Sequence, residues 1–205
     1  MQNMQNMQNN FPDITAVILA GGQARRMDGQ DKGLLEVSGL AMIEYVISVL
    51  HSQLDKIVIN ANRNQDTYAK YGFPVIADDY EGFKGPLAGM ASCMKAIETE
   101  YMITAPCDSP LLPADFVTRM FSALQEKNAD ISVADSGDRI QPVFCLLRSS
   151  LLDSLLHYLD SGERKIDLWF QQHVMTKVDF SDKPDTFINV NTPEDIKIIE
   201  AKINS

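Results

Sequence analysis

The sequence predicts an α/β protein built on a mostly parallel sheet covered by helices on both faces. Two observations carry this: short apolar runs recur along the chain, and segments with helical spacing of apolar residues separate them. A third agrees with them, because the unusual polar residues fall just behind the apolar runs, where an open parallel sheet binds its ligands.

The runs place strands near Ile14–Leu19, Lys56–Asn60, Pro74–Ala77, Tyr101–Ala105, Ala129–Val133, Val143–Leu147 and Phe187–Val190. Between the first two, "MIEYVISVLHSQL" carries Ile43, Val46, Ile47 and Leu50 at helical spacing, and Pro86 opens a second helix that runs to Glu98. Both read as crossover helices lying on the sheet. "NTPEDIKIIEAK" announces a final helix, with Thr192 as N-cap, Pro193 at the first helical position and Glu194 and Asp195 in the first turn. Its apolar face is read as Ile196 and Ile199, with Ile198 beside them. Asp135–Gln141, "DSGDRIQ", is polar and turn-like, and marks a small insertion or a binding loop.

At 205 residues the chain suits one core, so residues 13–205 are read as one domain. The preceding "MQNMQNMQNN", a Met-Gln-Asn repeat, is too polar to bury and is expected to be a disordered tail over residues 1–12. It has neither the basic nor the apolar region of a secretory signal, and no apolar run approaches the roughly 18 residues of a membrane span. A cytoplasmic protein without a membrane partner is therefore expected. Hydrophobic residues at 45% and charged residues at 22% fit a globular protein, while a net charge of -10 disfavours nucleic acid as a partner. Cys93, Cys107 and Cys145 lack paired spacing and read as buried thiols rather than a disulfide or zinc framework.

A basic, glycine-rich turn follows the first strand: Gly21, Gly22, Arg25, Arg26 and Lys32. The second strand leads into "NANR" from Asn60, the third into Asp78 and Asp79, the fourth into "APCDSP" with Asp108, and the last into "NVNTP" with Asn189 and Asn191. Glycines let backbone amides approach an oxyanion, and Arg and Lys neutralise phosphate charge, so the first turn suits a polyphosphate. Asp108 is the candidate Mg²⁺ ligand, since that ion takes one or two carboxylates together with phosphate oxygens and water. Asn and Asp at the other strand ends suit ribose hydroxyls or a base edge, and "GPLAGM" from Gly85 reads as an apolar wall against a ring. Taken singly, a Gly-Gly turn or a strand-end Asp usually serves a turn or a cap. Five strand ends sharing one chemistry favour a site.

The chain has neither G-x-x-x-x-G-K-[ST] nor G-x-G-x-x-G, which removes support for P-loop hydrolysis and nicotinamide redox chemistry. His51, His157 and His173 lie in or near helical patterns and read as solvated or packing residues, and Cys107 reads as packing.

The blocks "LAGG", "RRM", "DKGLLEV", "NANR", "GPLAGM", "PCDSPLLP" and "NVNTPED" resemble the molybdenum cofactor guanylyltransferases over nearly the whole chain after the tail. The resemblance implies a Rossmann-like, three-layer nucleotidyltransferase fold using GTP and Mg²⁺, with transfer of GMP to the terminal phosphate of molybdopterin and release of diphosphate. It places GTP at Leu19, Ala20, Gly21, Gly22, Lys32, Asn60, Asp78 and Asp108, and the metal at Asp108. Arg26, Lys32 and Asp108 become the expected catalytic residues, with Asn189 and Asn191 on the pterin side. Transient contact with molybdenum-insertion proteins and molybdoenzyme chaperones is implied as well. Two departures fall in the basic loop, where Ala24 replaces a common Ser and Asp28 a common Gly. The competing readings are a molybdopterin cytidylyltransferase or sugar-phosphate nucleotidyltransferase on the same fold, and a noncatalytic nucleotide-binding module.

Overall fold

A computed structural model describes residues 13–21, 31–79, 85–188, 190 and 192–204. Its strands are β1 (Ile14–Leu19), β2 (Glu36–Val37), β3 (Leu40–Ala41), β4 (Lys56–Asn60), β5 (Val75–Ile76), β6 (Tyr101–Pro106), β7 (Ile131–Asp135), β8 (Ile140–Arg148) and β9 (Met175–Asp179). The helices are α1 (Met42–His51), α2 (Gln65–Ala69), α3 (Pro86–Ala96), α4 (Phe116–Glu126), α5 (Leu152–Asp160), α6 (Ile166–Phe170) and α7 (Pro193–Ile203). Seven strands form the main sheet in the order β5-β4-β1-β6-β8-β7-β9. All neighbours pair in parallel except where β8 runs against β6 and β7.

The period of a strand divides the core between two faces. In β1, Ala16 and Ile18 turn toward α1 and α4, meeting Ile43, Val46, Phe116 and Met120, whereas Val17 turns toward Leu87, Met90, Leu155 and Trp169 of the opposite layer. These are the three layers expected of a sheet buried on both sides. Among the described residues no helix is long and apolar enough to cross a membrane.

Chain order and strand order diverge at one place. From β1 the chain moves outward to β4 and β5, then crosses back to lay β6 on the other side of β1. In open α/β sheets the ligand crevice forms at such a reversal, which here places it outside the carboxyl ends of β1 and β6.

The last predicted strand is wrong. Phe187 ends a 3-10 turn, Pro184–Phe187, and packs edge-on against Phe144 and Phe180; it is apolar because it fills the core beneath the sheet. The edge strand is instead β9, "MTKVD", in which only Val178 is buried, so it carries little apolar signal. "NVNTP" consequently follows a 3-10 turn rather than a strand. The parallel expectation also fails for β8, which joins β7 as a hairpin. The predicted loop Asp135–Gln141 holds that hairpin's turn, residues 136–139, with Gly137 at φ +96°, while Asp135, Ile140 and Gln141 pair within the strands.

A pair of short strands lies outside the predicted elements. β2 and β3 form a ribbon over the two-residue turn Ser38–Gly39, both at positive φ, and Glu200 of α7 accepts the Ser38 N–H at 3.1 Å. The capping of α7 is as expected: Thr192 Oγ1 accepts the Asp195 N–H at 3.2 Å and Asp195 Oδ2 accepts that of Thr192 at 2.8 Å. Ile199 is buried, whereas Ile198 is 50% exposed and does not belong to the packed face.

Candidate active site

The backbone itself brings the strand ends together. Past the ends of the strands, Ala20 N–H donates to Asn60 O at 2.8 Å and Cys107 N–H donates to Leu19 O at 3.1 Å, so the segments after β1, β4 and β6 leave the sheet side by side. Leu19, Ala20, Gly21, Asn60, Asp78, Asp108 and Lys32 are accordingly neighbours around one crevice. Gly22, Arg26, Asn189 and Asn191 lie outside the described residues.

Lys32 and Asp108, separated by 76 positions in the chain, meet across the strand reversal with Nζ 3.4 Å from Oδ2. Both side chains remain partly open, at 25% and 15% exposure, so the pair faces the crevice rather than the core. Lys32 starts a 3-10 turn, Lys32–Leu34, and its position is fixed by the residues on either side. Asp31 is buried and accepts hydrogen bonds from the Tyr68 hydroxyl at 2.6 Å and from Asn64 Nδ2 at 3.2 Å. Burial, reinforced by Cys107 and Asp31, pushes the Tyr68 hydroxyl far above its ordinary range, which keeps it a donor. Gly33 sits so close to α2 and β6 that a Cβ would stand 2.8 Å from the Tyr68 oxygen and 2.9 Å from Cys107 Sγ. Cys107 is a packing residue, as expected: it is buried, and burial raises its thiol well above the usual range.

On the other side of β1, Asn60 is 2% exposed. Its Nδ2 donates to Ile76 O at 3.1 Å and to Asp78 Oδ1 at 2.9 Å, which occupies both amide hydrogens. Asn60 therefore acts through Asp78 and holds the carboxylate from behind. Its Oδ1 fits against α3 only because residue 89 is glycine, for a Cβ there would stand 2.8 Å from Asn60 Cγ. This reassigns "GPLAGM": Leu87, Ala88 and Met90 are buried in the core, and Gly89 admits the asparagine. Asp79 is tied to α3, its N–H donating to Ser92 Oγ at 2.8 Å and its carboxylate lying 3.6 Å from Lys95 Nζ.

Sequence reasoning missed Asp31, Asn62, Gly33 and Gly89. Each belongs to a block quoted above, but its role depends on a partner from a distant element. The histidines stay outside the site: His51 stacks edge-on with Phe73, and His173 bonds with Ser154 and meets Trp169.

Among the described residues no group of three or more His, Cys, Asp or Glu side chains is arranged around a common metal position. A single partly open carboxylate, Asp108, beside Lys32 nevertheless fits Mg²⁺, which takes its remaining ligands from phosphate and water.

A strand reversal with Gly21, Lys32 and Asp108 gathered at it suits a nucleotide-handling α/β enzyme, and residues 16–176 match the MobA-like NTP transferase domain. The fold is that of solved nucleotidyltransferases. Molybdopterin-guanine dinucleotide biosynthesis protein A from Archaeoglobus fulgidus superposes with a TM-score of 0.77 at 21% identity, covering 93% of this chain and 98% of that one. A 4-diphosphocytidyl-2C-methyl-D-erythritol synthase from Anaerococcus prevotii gives 0.74 at 16% identity, covering 95% and 97%.

Closer relatives narrow the class. The molybdenum cofactor guanylyltransferase of Shewanella sp. strain MR-4 is 50% identical over 191 residues, 93% of this chain and 97% of the relative. That of Shewanella sediminis is 53% identical over 181 residues, 88% and 92% of the two chains. The chain belongs to the molybdenum cofactor guanylyltransferase family, and it is a nucleotidyltransferase.

Proposed function

We propose that residues 13–205 act as one domain that transfers GMP from GTP to the terminal phosphate of molybdopterin and releases diphosphate. The observation that carries the reading is the Lys32–Asp108 pair, 3.4 Å apart and facing the crevice at the strand reversal. A cytidylyltransferase would use the same fold, but the relatives at half identity over nearly the full chain are guanylyltransferases.

In the proposed step an oxygen of the acceptor phosphate attacks the α-phosphorus of GTP in line. The bond from that phosphorus to the bridging oxygen breaks, and its electron pair leaves with diphosphate. The acceptor is already an oxyanion at neutral pH, so no general base is required, in keeping with histidines that stand away from the crevice. Lys32 and Arg26 balance the charge on the departing diphosphate. The segment from Leu19 to Gly22 takes the phosphates, Asp78, held from behind by Asn60, meets the nucleoside, and Asn189 and Asn191 take the pterin side. Asp108 would hold Mg²⁺, which on binding neutralises phosphate charge and orients the oxygens around it. Most of the rate comes from placing two anions in line, a positioning effect that reaches about 7 kcal/mol or more in well-oriented reactions.

The test is product formation by the purified chain with GTP, Mg²⁺ and molybdopterin, followed by mass spectrometry. The expected species is molybdopterin carrying GMP, with one diphosphate released for each. Asp108→Ala should abolish this product while leaving most GTP binding. Full activity of Asp108→Ala in Mg²⁺ would overturn the metal assignment, and formation of GMP–molybdopterin by neither protein would overturn the function.

A further inference from the structure

We infer that Asn62 is a positioning residue for nucleoside selection, acting by locking Asp78 into a fixed, forked acceptor. This rests on the proposal that Asp78 meets the nucleoside. Asn62 stands two residues beyond the end of β4, where the short edge strand β5 has already ended, so no backbone ladder is left to hold Asp78. The asparagine side chain takes over that pairing. Its Oδ1 accepts the Asp78 N–H at 2.8 Å, and its Nδ2 donates to Asp78 Oδ2 at 2.8 Å. One amide thus grips both the main chain and the carboxylate of the same residue.

Asn60 completes the grip from behind by donating to the other oxygen, Oδ1, at 2.9 Å. Each carboxylate oxygen receives one hydrogen bond from the protein and keeps a lone pair for a ligand. The result is two acceptors side by side, fixed in plane and partly exposed. Such a fork suits a ligand with two adjacent donors, a chemistry shared by the guanine edge that carries N1–H and the 2-amino group and by the ribose 2′,3′-diol. Asn62 also lies above the phosphate-side turn: a Cβ at Gly21 would stand 3.3 Å from its Nδ2. The residue that locks the nucleoside acceptor therefore borders the turn that faces the phosphates.

The energetic role is preorganisation. An untethered aspartate at a sheet edge would lose rotamer freedom on binding, whereas one gripped at three points has lost it during folding. Removal of the Asn62 amide should weaken the interaction with the paired donors by about the worth of one hydrogen bond to a charged group, roughly tenfold in affinity. Asn62 itself is exposed and outside every helix and strand, so its truncation spares the core.

The experiment compares the full-length chain with Asn62→Ala and Asn62→Asp, using steady-state transfer to molybdopterin from GTP, ITP, which lacks the 2-amino group, and 2′-deoxyGTP. Asn62→Ala should raise KM for GTP about tenfold with little change in kcat. The preference for GTP over one of the two analogues should fall by a similar factor: loss against ITP assigns the fork to the base, and loss against 2′-deoxyGTP assigns it to the ribose. Asn62→Asp keeps an acceptor for the Asp78 N–H but sets a second negative charge against the carboxylate, and should lose at least as much. An equal loss with all three nucleotides, or unchanged preference in Asn62→Ala, or wild-type behaviour of Asn62→Asp would overturn the inference. Absence of GMP transfer by the wild-type chain would instead count against the proposed function.

Discussion

Gly89→Ala sets two rules of stability against each other. Gly89 lies inside α3, where alanine normally gains about 1 kcal/mol over glycine from helix propensity alone. The structure reverses the sign. A Cβ at this position would overlap Asn60 Oδ1 outright and stand 2.8 Å from Cγ and 3.2 Å from Nδ2. Asn60 cannot swing clear cheaply, because it is 2% exposed and its amide is held by Ile76 O and Asp78 Oδ1. Crowding in a packed interior costs roughly 1–3 kcal/mol, and a buried amide torn from its partners about 1–3 kcal/mol more. After the propensity gain is deducted, Gly89→Ala should destabilise the chain by about 1–5 kcal/mol. For a chain of this size that lowers the melting temperature by roughly 2–20 °C. Urea titration followed by circular dichroism measures the loss directly. The double variant Asn60→Ala/Gly89→Ala removes the clashing group and should recover part of the stability, while GTP binding stays weak because Asp78 has lost a tether. A Gly89→Ala chain as stable as wild type would refute the packing argument.

Other consequences are equally specific. Gly33→Ala would push a methyl group against the Tyr68 hydroxyl and Cys107, at 2.8 and 2.9 Å, and should cost about 1–3 kcal/mol by thermal denaturation. Lys32→Met should lower kcat/KM for GTP about 100-fold with little change in melting temperature, since Lys32 faces the crevice; a loss below threefold would remove it from the phosphate site. Burial pushes the Cys93 and Cys145 thiols up to about 12 from an ordinary value of 9.0. These raised values sit in the folded state, so the thiols' contribution is fully present below about pH 9 and is lost as pH rises toward 12, at about 1.4 kcal/mol per thiol per pH unit. Urea unfolding at pH 8 and pH 10 should show the fall, and alkylation of these thiols at pH 8 should be slow until the chain unfolds.

The fold was readable wherever a strand is buried on both faces. β1, β4 and β6 are continuous apolar runs, and their positions follow from the sequence to within a residue. The edge was not readable, because β9 is half-buried or exposed everywhere but at Val178, while the apolar Phe187 belongs to an aromatic cluster and not to a strand. The antiparallel course of β8 leaves no mark on hydrophobic pattern either. At the site, residue chemistry and strand-end position were enough to single out Lys32, Asp78 and Asp108. What composition hides is who holds them. Asn62 grips Asp78 from 16 positions away, and Tyr68 holds Asp31 from 37, so these roles exist only once the strands are placed side by side.

The most direct measurement is transfer of label to molybdopterin by the purified chain with Mg²⁺, from GTP labelled at the α-phosphorus and, in parallel, at the γ-phosphorus, with α-labelled CTP and ATP alongside. The account predicts label in the pterin product from α-labelled GTP and none from γ-labelled GTP, CTP or ATP. Transfer from CTP in place of GTP would keep the fold and contradict the guanylyl assignment, and label arriving from the γ position would contradict attack at the α-phosphorus.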